Sequence, residues 1–250
     1  MARDPEHAIT FGQAVDAYDR GRPGYPAEAL DLIVESASSR LRRRIVDVVD
    51  VGAGTGKLTS ALAARFDRVR AVEPDDAMRA RLLANVPGVT AFPGTAESIP
   101  LPDADTDLVT VAQAWHWVDP VRATAEVARV LRPGGTLALV WNIRDERVPW
   151  VRDLGELMGA SPGVDENDSA DPPLPGPLLR YDHVELPFST SLTREQLMDL
   201  VFSRSYVIAL DDERKAALRE RLDDFLESTP ELAGERIELP YVTRVTLAAE

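Results

Sequence analysis

The run Val48-Val49-Asp50-Val51-Gly52-Ala53-Gly54-Thr55-Gly56-Lys57 constrains this chain more than any other feature. An apolar segment of strand composition ends in a turn with glycine at every second position. Helical periodicity resumes at once over Leu58 to Phe66. Residues without Cβ let a ligand approach the backbone closely. The amides of such a turn, with a helix N-terminus behind them, favour a nucleotide-like ligand and negative charge on it. A strand feeding a helix in this way implies an open, mostly parallel α/β sheet with its ligand at the carboxyl ends of the strands. The expectation is a cofactor of adenosine type.

The spacing narrows the choice. A phosphate-cradling P-loop needs Gly five residues before its Gly-Lys and then Ser or Thr, and those positions are Val51 and Leu58. The dinucleotide fingerprint needs a third Gly where Lys57 stands. What remains is G-x-G-x-G with Asp50 two residues before the first glycine. This resembles motif I of the class I S-adenosylmethionine (SAM)-dependent methyltransferases, and the resemblance assigns Gly52, Ala53, Gly54 and Gly56 to cofactor binding. Val69 to Glu73 reads as a second strand ending in an acid, 21 residues after Gly52, where a carboxylate can accept both ribose hydroxyl protons. Pro74-Asp75-Asp76-Ala77-Met78 is similar to the family's opening of the next helix, which adds Pro74 and Met78. Gly94-Thr95-Ala96-Glu97 resembles its adenine-recognition turn. Thr95 stands where many relatives carry Asp, leaving Glu97 or the Ala96 backbone as candidates for the adenine amino group. Asp107 to Ala112 reads as a fourth strand, and Leu131 to Gly135 as the turn into a fifth, Thr136 to Trp141.

Composition bounds the rest. Lys plus Arg is 28 and Asp plus Glu is 42, a net charge of −14. No basic stripe offsets it beyond the short patch Arg40 to Arg44, so nucleic acid is not the expected partner. Without cysteine there is neither a disulfide nor a thiolate metal site. Three dispersed histidines (His7, His116 and His183) point to no metal either. No signal region or transmembrane run is visible, so a cytoplasmic location and no membrane partner are the default expectations. The 250 residues suit one domain: an N-terminal lid and first helix (1–44), a SAM-binding core (45–144), and a substrate cap with the last strands (145–250).

Pro26 to Ser39 has helical periodicity, and the preceding segment, Phe11 to Pro26, resembles the leader of a methyltransferase subgroup that includes trans-aconitate methyltransferases. There such a segment folds over the cofactor. Arg22 would pair with the SAM carboxylate, and Tyr18 and Tyr25 would wall off the sulfonium. Beyond strand five, Val148 to Ala160 reads as an amphipathic helix and 161–177 as a loop or lid. His183 to Leu192 alternates like a strand. A capping box at Thr193 opens a helix to about Arg204, Asp211 or Asp212 caps another to Glu227, and Ile237 to Ala248 is the last strand. The resemblance implies a Rossmann-like, seven-stranded, mostly parallel sheet with an antiparallel edge hairpin, and two helices between its strands over the active site.

Methyl transfer asks mainly for in-line positioning of a nucleophile near an activated methyl. A carboxylate needs no general base, whereas a hydroxyl or amine does. Gln113-Ala114-Trp115-His116-Trp117 follows strand four, whose end faces the methyl group in this family. Gln113 is a cofactor candidate, His116 the catalytic candidate, and Trp115 and Trp117 would screen the sulfonium or shape the acceptor pocket. The alternative is that His116 caps the following helix at Asp119-Pro120 while the tryptophans are core. Arg144, and Arg204 beside Tyr206, are candidates for holding a small polycarboxylate, which would leave as a methyl ester. The reading is a SAM-dependent methyltransferase acting on a small molecule, with S-adenosylhomocysteine (SAH) as co-product. A SAM- or SAH-binding regulatory protein and an NAD-dependent oxidoreductase are the alternatives.

Overall fold

A computed structural model describes residues 22–159 and 173–250. Helix α1 (Ala27–Leu41) starts directly after Pro26 and buries Ala29, Leu30, Ile33 and Ala37. It closes where Arg42 turns into the left-handed region at φ 55°. Strand β1 (Asp47–Val51), helix α2 (Lys57–Ala63), strand β2 (Arg68–Val72), helix α3 (Asp76–Asn85) and strand β3 (Thr90–Phe92) then alternate. Strand β4 (Thr106–Ala112), helix α4 (Pro120–Val130) and strand β5 (Leu131–Arg144) complete the parallel part. Both β1 and the body of β4 are buried along their length, as strands covered on both faces must be, so their sequences read as continuous apolar runs.

Helix α5 (Pro149–Leu157) and strand β6 (Leu179–Leu192) follow, then helices α6 (Arg194–Phe202), α7 (Ser205–Ile208) and α8 (Asp212–Ser228), and strand β7 (Ile237–Ala249). The seven strands form one sheet in the order β3-β2-β1-β4-β5-β7-β6. β7 runs antiparallel to both β5 and β6, so β6 is parallel to β5. The last two strands pair antiparallel as expected, but only β6 lies at the edge, because β7 inserts between it and β5.

That insertion positions the cap. β5 ends at Arg144, level with Tyr241 of β7 and Phe188 of β6, and the two later strands continue together to Leu192 and Ile237. The segment joining them, with α6, α7 and α8, therefore leaves the sheet at the carboxyl end of the parallel strands. Trp150, Val151 and Leu154 of α5, Leu197 and Val201 of α6, and Leu218 and Leu222 of α8 pack there on Leu239 and Tyr241, a core separate from those on the two sheet faces. One sheet face packs on α4 through Val49, Val111, Leu139 and Trp141 among others, and the other on α1 and α2.

Candidate functional site

The glycine-rich turn lies at the carboxyl end of β1, between its neighbours β2 and β4. Gly52, Gly54 and Gly56 all have left-handed backbone, with φ of 67°, 56° and 88°. Their environments differ. A Cβ on Gly52 would stand 2.7 Å from the Ala114 Cβ, and one on Gly56 would stand 2.9 Å from Leu82. Those two positions are closed by the protein's own packing, a reason the sequence reading did not supply. A Cβ on Gly54 would meet nothing nearer than the Met78 sulfur at 3.7 Å. That backbone faces a cavity lined by Arg22, Asp50, Gly52, Gly54, Ala112 and Gln113 among others. Tyr25 lines the same cavity; Tyr18 lies outside the described residues.

Beneath the turn, Asp50 is buried and accepts hydrogen bonds from Thr59 Oγ1 at 2.6 Å and Thr110 Oγ1 at 2.8 Å. Burial pushes its carboxyl up to about 6, against the pull of those bonds. Glu73, just past β2, is also buried, and burial raises its pKa. Its two oxygens accept from the Gly54 amide at 2.8 Å and the Asp75 amide at 3.0 Å. A carboxylate oxygen has two acceptor positions, so each retains one. Glu73 thus braces the glycine turn while still able to accept two further hydrogen bonds. Pro74 follows it, Asp75 caps α3 by accepting from the Met78 amide at 2.8 Å, and Met78 is buried behind Gly54.

The turn Thr95–Ser98 closes by reciprocal backbone bonds between its end residues. Ala96 is buried in the core on the α4 face. Glu97 points back to the protein: its Oε1 accepts from the Asp119 amide at 2.7 Å, at the start of α4. One Glu97 oxygen is therefore committed to holding the turn against that helix. Glu126 does the same from the helix side, accepting from the Ile99 amide at 2.8 Å.

At the end of β4, Gln113 adopts φ 56°, rare for a residue with a side chain. Its Nε2 donates to the Asn142 carbonyl at 3.0 Å, leaving Oε1 buried without a hydrogen-bond partner. His116 and Trp117 lie in a single 3-10 turn, ring centroids 4.7 Å apart, and His116 also lies 5.3 Å from Trp141 of β5. His116 does not cap the next helix; Asp119 does, accepting from the Val121 and Arg122 amides at 3.0 and 3.2 Å. Trp115 has its indole engaged within the protein. It is only 3 % exposed, packs in the α4-side core, and donates its indole N–H to the Pro173 carbonyl at 3.1 Å. Trp115 thereby ties the turn to the segment before β6.

Arg144 and Arg204 are buried, and Arg144 approaches Glu146 at 3.7 Å. Arg204 follows the Ser203 cap of α6, and Tyr206 packs against the cap core. Two residues escaped the sequence reading. Asn142 is buried; its Nδ2 donates to the Gly24 carbonyl at 2.9 Å and its Oδ1 accepts from Thr243 Oγ1 at 2.7 Å. It ties the leader, which carries Arg22 and Tyr25, to β5 and β7. Trp141 is the other. A polar residue after a tryptophan at the end of an apolar strand is a signal, but a weak one without the register that places it.

Among the described residues, no cluster of three or more His, Asp or Glu is placed to hold a metal, and no helix is long and apolar enough to cross a membrane.

Residues 49–139 match the family model for a methyltransferase domain. An uncharacterized methyltransferase of Mycobacterium tuberculosis is 47% identical over 96% of this chain and 97% of its own length. A solved structure, a candidate type II methyltransferase from Anaeromyxobacter dehalogenans, superposes with a TM-score of 0.70 at 26% identity, over 91% of this chain and 96% of that one. A malonyl-[acyl-carrier protein] O-methyltransferase of Methylococcus capsulatus is 37% identical over 52% of this chain and 49% of its own.

Proposed function

The chain belongs to the class I SAM-dependent methyltransferases, and from that premise we propose that it methylates an oxygen of a small-molecule acceptor, a carboxylate, to give a methyl ester. The observation that carries cofactor use by this chain is the cavity over Gly54, lined by Gln113 with its Oε1 unpaired, together with Glu73, which accepts from the Gly54 amide and keeps two unused lone-pair positions. Those groups fit SAM, which presents donors through its ribose hydroxyls and ammonium. Gly52, Ala53, Gly54 and Gly56 form the cradle, Glu73 receives the ribose, and Pro74 and Met78 flank it. Thr95, Ala96 and Glu97 border the base, with the Ala96 backbone taking the adenine contact because Glu97 is partly committed. Arg22 and Gln113 hold the amino-acid end, and Tyr18 of the leader is assigned to walling off the sulfonium.

When bound, SAM supplies a methyl group on a sulfonium that an attacking oxygen accepts in line as the carbon–sulfur bond breaks and neutral SAH is left. A carboxylate has no proton to lose, so this reading assigns His116 to orienting the acceptor by hydrogen bonding and Trp117 to excluding water. Arg144, Arg204 and Tyr206 are assigned to the acceptor's remaining anionic groups. The carboxylate choice draws support from the malonyl-carrier O-methyltransferase among the relatives and from the two buried arginines at the carboxyl end of the sheet. We further assign the protein no nucleic-acid or membrane partner, and a cytoplasmic location.

The test is SAH release from SAM across a panel of small carboxylic acids, phenols, amines and sugars. Acid-dependent SAH with a base-labile methyl product is expected; SAH with amines or phenols alone overturns the carboxylate assignment. In parallel, Glu73→Gln should weaken SAH binding by calorimetry at least about 10-fold, since an amide cannot accept on both sides. Wild-type affinity would remove Glu73 from the site. His116→Ala should lower turnover while leaving SAH affinity unchanged, and full turnover in that variant would reduce the imidazole to packing.

A further inference from the structure

Trp141 has a property its packing does not explain. It is 1 % exposed on the α4 face of β5, and its indole N–H has no hydrogen-bond partner. A buried donor left unpaired is destabilising, and phenylalanine would fill most of the same volume without that cost. Trp115, in the same core, does pair its indole with a backbone carbonyl. The difference lies in position. Ala112, the last residue of β4, is level with Val140, so Trp141 stands level with Gln113, one step beyond the end of β4. There the sheet opens into the crevice in which folds of this kind bind ligands. The His116 ring lies against the indole, with centroids 5.3 Å apart.

We infer that Trp141 is a specificity-determining residue, whose indole N–H donates a hydrogen bond to a carboxylate or carbonyl oxygen of the acceptor substrate. The inference rests on the methyl-transfer reading above and deepens it. An indole N–H can only donate. It therefore selects a ligand atom with a lone pair, and an anionic oxygen makes the stronger bond. An ammonium or a protonated amine presented to the same point would meet donor with donor. Being at the strand end next to His116, the bond fixes one oxygen of the acceptor relative to the imidazole, and so limits which atom reaches the methyl group.

The experiment uses protein labelled with 15N-tryptophan and saturated with SAH, with Trp141→Phe identifying the Trp141 indole resonance by its loss. Should that variant not fold, phenylalanine at Trp115, Trp117 and Trp150 in turn assigns it by elimination. Malonate, succinate and glutarate are titrated in. The Trp141 indole proton is expected to move downfield and saturate with at least one acid, while the Trp115 signal stays in place. With that acid as acceptor, Trp141→Phe should lower kcat/KM for the acid about 10- to 100-fold, the range for losing a hydrogen bond to a charged group, with KM for SAM unchanged. A Trp141 signal indifferent to all three acids in the SAH complex overturns the inference, as does a variant with wild-type kcat/KM. Failure of the methyl-transfer reading is distinguishable, because the wild-type protein would then release no SAH from SAM with any acceptor, whether or not it binds SAH.

Discussion

Gly52 and Gly54 share a left-handed backbone for different reasons, and substitution separates them. Gly52→Ala places a Cβ 2.7 Å from Ala114 at φ 67°, so strain and steric overlap add, and a loss of about 2–3 kcal/mol is expected in urea denaturation. Gly54→Ala has only its φ to overcome, about 1 kcal/mol, and its larger effect should be on SAH affinity in calorimetry. Asp50 gives a second residue-level test. Burial lifts its carboxyl to about 6 in the folded chain from an ordinary 3.8, so the folded state favours the proton. The stability this group contributes is complete below about pH 4 and is lost as pH rises through 6. Asp50→Asn should therefore gain stability relative to the wild type at pH 7.5, by up to about 2–3 kcal/mol, and gain none at pH 4. The glycines and Glu73 were legible because their spacing is a local property of the chain. The orphaned groups Gln113 Oε1 and Trp141 Nε1 were not, because whether a polar atom finds a partner depends on neighbouring strands.

At the scale of elements, the ends of helices were the easiest features to read. Thr193 opens α6 with a full capping box: its hydroxyl accepts from the Gln196 amide at 3.2 Å, and Gln196 Oε1 accepts from the Thr193 amide at 2.9 Å. Thr193→Ala should cost about 1 kcal/mol, seen as a lower denaturation midpoint with an unchanged slope. Asp211 likewise caps α8 through the Arg214 amide at 2.8 Å. Strand ends were harder. β5 runs from Leu131 to Arg144, well past both limits of its apolar stretch, and β6 begins at Leu179, before the alternation starts. The carboxyl extension of β5 and the early start of β6 follow from pairing with β7, and Leu131 is held by Thr106 of β4; such pairing keeps residues in strand geometry whatever their own preference. The burial of Trp115 was likewise illegible. Three residues of a 3-10 turn point in three directions, and no periodicity shows which faces the core.

On the scale of the whole molecule, the two ends of the sheet do different work. The end opposite the cleft is fastened by Asp107, which is fully buried and accepts from Arg43 Nη2 at 2.6 Å, Arg132 Nη1 at 2.9 Å and the amides of Val46 and Asp47 at 2.9 and 3.2 Å. Burial alone would raise its pKa, but these donors together hold it well below the usual carboxylate range. Its contribution is thus present above about pH 4 and lost as pH falls toward the folded value. Asp107→Asn should cost about 3 kcal/mol at neutral pH, as for a broken buried pair, and the gap to wild type should narrow in acid. The chain's charge of −14 adds general repulsion that a screening salt would relieve. The placement of β7 bears on how the molecule is made. The strand that bonds to both β5 and β6 is the last of the seven in the sequence. During synthesis, every residue of the cofactor cradle leaves the ribosome while the flank of β5 is still bare and β6 has no neighbour to join. Until β7 arrives, the nascent chain carries an unpaired apolar border of the kind that recruits other chains, so its yield in the cell depends on how quickly that final strand is threaded between its two partners.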